Sequence, residues 1–333
     1  MKKWKAGLMA MCLAAGVLTG CGSAKEKETT AAETTAAETT AASEAQGTVA
    51  VTYVKSPLNV PSIVEKDQEI FQSVFGELGY DVVYSDLTTG PEQTQALASG
   101  DIQFLNAVGA TSVILSASNE ADIKIISMYS RSPKAFKLFA ADDSIKSPED
   151  LRGKKVAGPK GTILHELLVA YLATAGMTEE DIEFMAMGIP DSQAALVGGS
   201  VDAALLAGPT AYNMEKDDFP IVTDGEGLTE ASIVTATSQK FYDEHPELVK
   251  AFVEAQQKVL DSIEADFDAA VVATAKETEL TEDAVKEMYG LYDFSMEITE
   301  KDIEAMKKTE QFMEQTAMIE TPVDIEGLIL NLD

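Results

Sequence analysis

The chain has 333 residues, and its 56 acidic side chains against 25 Lys and Arg give a formal charge of −31. That balance argues against nucleic acid as a partner, because phosphate contacts need clustered Lys and Arg. It favours solubility instead. The length allows a core without disulfide staples and is generous for one lobe, so two are expected.

The first elements in chain order are not part of that core. Lys2, Lys3 and Lys5 precede an apolar run from Ala6 to Leu18, then Leu18-Thr19-Gly20-Cys21. A basic head, a short apolar stretch and small residues before a cut site describe a secretory signal over residues 1–20. The run is too short to cross a hydrocarbon core of about 30 Å. The small residues before Cys21 resemble the bacterial lipobox, in which the cysteine becomes residue one and carries lipid. An uncleaved anchor or a free thiol at Cys21 are the alternatives. Loss of the signal removes three lysines and no acid, moving the charge from −31 to −34, and takes Cys12 away. Lipid on Cys21 leaves no thiol for a disulfide. ETTAA then occurs three times between Glu28 and Ala42. It has no apolar periodicity, so residues 21–47 read as a disordered tether, with a reach on the order of 30 Å.

From residue 48 strands and helices alternate. Val49–Val54 alternates as a strand, and Pro61–Leu78 has apolar spacing near 3.6, which predicts one helix. A strand at Tyr80–Tyr84, a helix at Pro91–Ser99, a strand at Ile102–Leu105 and a helix at Ala110–Ala117 follow. Strands are expected at Ile123–Tyr129 and Phe136–Ala141. The pattern restarts with strand Lys155–Ala157, helix Thr162–Ala175, strand Ile182–Met185, helix Asp191–Val197, strand Val201–Leu206 and helix Thr210–Lys216. Short strands at Ile221–Thr223 and Ser232–Thr235 precede a helical remainder, with breaks near Pro246, Thr281 and Thr299. Such alternation predicts an α/β fold of mostly parallel sheets covered by helices.

One echo runs through the pattern. ALASGDIQFLNAVGAT (Ala96–Thr111) and ALVGGSVDAALLAGPT (Ala195–Thr210) lie 99 residues apart, and both pass from helix end through a buried strand to a Gly and a new helix. Either two similar units coincide or two lobes share one build. In the second case Gly109 and Gly208 sit at carboxyl ends of strands, where ligands of open parallel sheets bind.

GPEQTQALASGDIQF, YSRSPKAFKLF, SPEDLRGKKVAGPKGT, SQAALVGGSVDAAL, DGEGL, EHPELVKAF, YDFSMEITEKDI and TPVDIEGL together resemble solute-binding proteins of ABC importers. The group is the one serving aliphatic sulfonates, taurine, nitrate and thiamine-precursor pyrimidines, and the resemblance covers nearly all of residues 49–330. It implies a type II periplasmic-binding-protein-like fold with two lobes, 48–138 plus 236–333 and 139–235. Two crossing strands, near Phe136–Ala141 and Ser232–Thr237, would join them. It also implies an extracytoplasmic, membrane-anchored monomer that captures a small organic anion and delivers it to a permease with its ATPase, without cofactor, metal or catalysis. The same role for a thiamine-precursor pyrimidine or a riboflavin-like ligand, or a sensor lipoprotein that transports nothing, are the alternatives. A yeast-type thiamine-pyrimidine synthase shares the fold, but it uses a cysteine-rich segment absent from this body.

The expected ligand contacts are helix starts and hydroxyls. Gly161-Thr162 opens a helix, and its free N–H groups attract anions; Gly90-Pro91 and Gly109-Ala110 offer the same. Ser56 and Asn59 lie in the loop after the first strand. Arg131 is the Arg placed to pair with an anion, and His165 lies one turn into the helix after Gly161. Tyr53, Tyr129 and Tyr212 are candidate wall aromatics with core packing as the default, and His245 reads as structural. Many relatives carry Trp and an acid where Ala207 and Gly208 stand, and Gly-Asp where Val108-Gly109 stand. The lost bulk and charge predict a larger or more apolar ligand than taurine.

Overall fold

The computed structural model describes residues 47–332. The signal, Cys21 and the repeats lie outside the described residues, whereas Gly47 is already the first residue of a strand.

The first half runs β1 (Gly47–Thr52), α1 (Val60–Asp67), α2 (Ile70–Glu77), β2 (Tyr80–Ser85), α3 (Gly90–Ser99), β3 (Leu105–Gly109), α4 (Ala110–Ser118) and β4 (Lys124–Arg131). The second half runs β5 (Phe136–Ala140), β6 (Lys155–Gly158), α5 (Ile163–Ala173), β7 (Glu183–Ala186), α6 (Ile189–Val197), β8 (Ala203–Ala207), α7 (Gly208–Lys216) and β9 (Ile221–Asp224). The chain then returns as β10 (Ser232–Thr237) and closes with α8 (Gln239–Glu244), α9 (Pro246–Ala265), α10 (Phe267–Thr278), α11 (Glu282–Tyr289), α12 (Glu300–Gln315) and α13 (Ile325–Leu328).

The two sheets have one plan. β7-β6-β8-β5-β9 form a continuous sheet in which only β5 runs against its neighbours. The other sheet has the order β2-β1-β3-β10-β4, its two pieces joined at the parallel Val51–Phe104 bridge, and only β10 is reversed. Each reversed strand is the one that has just crossed from the other half. The echoing segments hold equivalent places: β3 and β8 are both third in order, and each leads straight into a helix.

Three expectations need correcting. Pro61–Leu78 is two helices, broken at Glu69, whose φ is 54°. The halves serve different cores: Val60 and Val64 pack toward the second sheet's cluster, while Phe71 and Phe75 join Phe104 and Phe252. Phe104 and Phe252 stack at 4.3 Å. A single left-handed residue leaves the apolar spacing nearly intact, so periodicity alone misses the break. The strand expected at Ile102–Leu105 lies at Leu105–Gly109, because its partner is β10, more than 120 residues onward. The helical remainder also breaks at Asp266, which caps α10 through its side chain.

Glu65 ends a buried stripe of α1 and is 1% exposed. One carboxylate oxygen accepts from the Phe71 N–H and the Tyr84 hydroxyl; the other is buried without a partner. Burial outweighs those two bonds and pushes the carboxyl up to about 7. The folded state therefore holds this proton more tightly than the unfolded chain does. The corresponding stability is present below about pH 4.5 and is lost as pH rises through 7, amounting to about 3 kcal/mol. Urea titrations at pH 4 and pH 8 should show Glu65→Gln gaining on the wild type by roughly that amount at the higher pH. Parallel pH profiles would mean that Glu65 is not a strained buried acid.

Candidate functional site

Because four of the five strands in each sheet run the same way, the helices that follow them begin at one edge. The two edges face each other across a cleft of about 230 Å³. α3, α4, α5, α6 and α7 all start beside it: Gly90, Gly109, Thr162, Gly188 and Ala207 are lining residues. Phe136 and Ile233, on the crossing strands, form part of the wall.

The N-caps of α4, α5, α6 and α7 are Gly109, Thr162, Gly188 and Ala207, and none gives a side-chain cap bond. Thr162 is able to cap, but its hydroxyl donates to the Pro159 carbonyl at 2.8 Å instead. Side-chain caps are present at α3, whose cap Thr89 also lines the cleft, and at α8, α10, α11 and α12, whereas α1, α2, α9 and α13 have none. An uncapped helix start keeps free N–H donors and a partial positive charge. Several such starts beside one cavity are able to receive an anion without a cationic side chain. Among the described residues, none that lines the cleft is charged.

Ser56, Gly90, Gly109 and Thr162 line the cleft. Asn59 does not: it is buried and holds its own loop, donating to the Val54 and Ser56 carbonyls at 2.9 and 3.1 Å. Val108 points into the core beneath β3. Its neighbour Ala107 faces the cleft instead, as the extra residue of a bulge opposite Val234 and Thr235, with φ at 76°. Bulges re-aim side chains beside functional sites, and strict alternation does not foresee them. Arg131 is spent elsewhere. Its guanidinium grips Asp302 at 2.5 and 2.8 Å and donates to Ser295 and to the Glu297 carbonyl. Burial raises the Asp302 carboxyl, but Arg131 and Thr299 more than offset it and bring it to about 2.

His165 turns away from the cleft into a separate groove with Lys160, Glu179 and Met318. Its Nδ1 accepts from the Gly161 N–H at 3.3 Å, and Nε2 meets Glu179 at 2.5 Å. Burial keeps the imidazole below its ordinary value against the pull of Glu179. Of the three tyrosines, Tyr53 bonds Glu277, Tyr129 bonds Ser62 in the core and Tyr212 bonds Glu287; none lines the cleft.

Gly161 and Gly208 belong to the seam between the halves. A Cβ on Gly208 would fall 2.1 Å from the Pro57 carbonyl oxygen, and φ there is 64°. The space that a missing Trp was expected to leave for a larger ligand is filled by the Ser56–Pro57 loop. A Cβ on Gly161 would meet Leu115 at 3.0 Å, and the Gly161 carbonyl accepts from Ser112 at 2.8 Å.

At the centre of the seam is Glu166, 3% exposed, in the first turn of α5. It accepts from Thr111 of α4, from Thr309 of α12 at 3.0 Å and from Thr229 at 3.1 Å. Burial pushes its carboxyl up, and the three hydroxyls offset only part of that. One side chain of the second half is thus held by two helices of the first.

The lining residues that sequence reading missed include Thr88, Gln93, Ala107, Ile163, Gly188, Ile189 and Thr210. A signal existed for some of them: Gly188-Ile189-Pro190 opens a helix after a strand, as Gly161-Thr162 does.

The NMT1/THI5 like family model matches residues 74–270, more than half of the chain. The chain belongs to that family. Similar proteins include the taurine-binding periplasmic protein of Escherichia coli (strain K12), 31% identical over 189 residues, or 54% of this chain and 58% of that one. Another is the putative aliphatic sulfonates-binding protein of Bacillus subtilis (strain 168), 24% identical over 275 residues, or 81% and 82%. The match thus spans little more than half of the first relative's length and about four fifths of the second's. The alkanesulfonate-binding protein SsuA from Xanthomonas axonopodis pv. citri, solved bound to MOPS, superposes with a TM-score of 0.77 at 19% identity. That alignment covers 86% of this chain and 99% of SsuA. At that identity the likeness establishes the fold: this NMT1/THI5 like chain has the two-lobed periplasmic binding protein architecture.

Two substitutions separate scaffold from site. Arg131→Ala, by stranding Asp302, should lower stability in urea by roughly 3 kcal/mol while ligand affinity stays within about twofold; a collapse of affinity with stability intact would put the guanidinium back in the cleft. Gly208→Val should hold the halves apart, giving a larger radius of gyration in solution scattering with ligand present and affinity reduced by about tenfold or more. Unchanged scattering and affinity would show that the seam tolerates a side chain there.

Proposed function

We propose that this protein is the ligand-capturing component of an ABC importer, closing its two lobes on a small organic anion of the sulfonate type and handing it to a permease and its ATPase. The observation that carries this is the gathering of five helix starts, four of them without a side-chain cap, around an uncharged cleft. Such a site satisfies anionic oxygens with backbone N–H groups and accommodates an apolar body against Phe136, Ile163, Leu164, Ile189 and Ile233. The names of the curated relatives support the sulfonate class. The binding set is Ser56, Thr88, Gly90, Gly109, Thr162, Gly188 and Thr210, with lobes divided as 48–138 plus 236–333 and 139–235. Capture without catalysis fits a cleft whose polar groups are hydroxyls, amides and one carboxamide.

Closure is the signal that the permease reads, so ligand must favour the closed form. The seam at Glu166, Gly161 and Gly208 gives that form its own contacts, and ligand adds bonds to amides from both lobes. A pyrimidine or flavin ligand finds less support, since Phe136 is the sole aromatic residue lining the cleft among the described residues. Lipid on Cys21 would keep the protein on the outer face of the membrane, with residues 21–46 as the leash.

Thermal unfolding of the full chain in detergent, run against alkyl sulfonates, taurine, nitrate, formyl-aminopyrimidine and riboflavin, tests the ligand class. An alkyl sulfonate at about 100 times its Kd should contribute about 2.7 kcal/mol, a rise of roughly 5 °C or more. A rise only with the pyrimidine or flavin would contradict the anion cleft. Expression of Cys21→Ala beside the wild type tests the anchor: the variant should leave the membrane fraction, and retention there would refute lipid attachment at Cys21.

A further inference from the structure

The cleft contains a group that its anion-binding part does not use. Gln93 lies in the first half of α3, lines the cleft and is 2% exposed, and its Oε1 is buried without a hydrogen-bond partner. Buried polar side-chain atoms are nearly always paired, so an orphan at a ligand cavity points to a missing partner. The helix start does not need Gln93, because Thr89 and Glu92 close it with a reciprocal capping box. Two other hydroxyls lining the cleft are already engaged: that of Ser112 donates to Gly161 and that of Thr162 to Pro159.

We propose that Gln93 is a specificity-determining residue that hydrogen-bonds a neutral hydroxyl on the ligand, so that hydroxyalkanesulfonates are selected over their unsubstituted and amino counterparts. This rests on the sulfonate-capture reading and refines it. A hydroxyl complements a carboxamide in either orientation, donating to Oε1 or accepting from the NH₂ group. An unsubstituted alkyl chain leaves Oε1 orphaned, and a site built to bond an OH rejects the analogue that lacks it. An ammonium can donate to Oε1, but no lining residue carries a negative charge to neutralise it. Burying a charge without a counter-charge is far more costly than burying a hydroxyl that has a partner.

The test is titration calorimetry on the full chain in detergent with matched two- and three-carbon sulfonates bearing H, OH or NH₃⁺. In the wild type the hydroxy compounds should bind at least about tenfold more tightly than either counterpart. Gln93→Leu should erase the hydroxyl preference, the hydroxy and unsubstituted compounds converging, with the unsubstituted compounds binding at least as tightly as to the wild type because no carboxamide is left orphaned. Gln93→Glu supplies the missing negative charge and should invert the order, placing the amino compounds first. The proposal is overturned if the wild type prefers the amino compounds, or if Gln93→Leu leaves the hydroxyl preference in place. Binding of unsubstituted sulfonates with no hydroxyl preference overturns the role of Gln93 alone. Failure of every sulfonate to bind removes the anion cleft and this assignment with it.

Discussion

Strand direction is the constraint on which the site depends. In each sheet four strands run one way and the strand arriving from the other half runs against them. Five helices therefore start along the two facing edges, beside the space between them. Four of those starts have no side-chain cap, and only α3 among the five is capped, by Thr89. A field built from backbone needs no lysine or arginine, so the proposed anion capture is compatible with a chain of charge −31.

The seam between the halves is a second constraint, and it uses close approach rather than apolar bulk. Gly109 has Ile163 at 3.2 Å from where its Cβ would be, and Gly208 has the Pro57 carbonyl. Glu166 is gripped by hydroxyls from two elements of the first half and by Thr229. Neutral donors around a buried carboxylate make a contact that is favourable when closed, yet easily exchanged for water when the halves part. That suits the proposed capture function, which requires both states.

The architecture was legible in the sequence because it rests on local pattern. Alternating strands and helices appear with ends displaced by a few residues, and the 99-residue echo marks equivalent β3 and β8. What local pattern cannot carry is the destination of a side chain. Arg131 finds Asp302 across 171 residues, and nothing near either one announces it. His165 has the spacing to reach the cleft, but Glu179 holds it on the opposite side of α5. Ala107 depends on a bulge imposed by β10. Gly208 reads as lost bulk, yet the lost bulk makes room for another loop of the same chain. Gln93 was hidden because its significance is a missing bond, visible only once every neighbour is placed.

A crystal structure of the protein with an alkanesulfonate bound is the most direct measurement. Sulfonate oxygens should lie in the cleft, within about 2.7–3.2 Å of first-turn N–H groups from at least one helix of each half among α3 to α7, with no cationic side chain in contact. A sulfonate held by an arginine or lysine, or seated outside the cleft while these amides bind water, would contradict the backbone-built anion site.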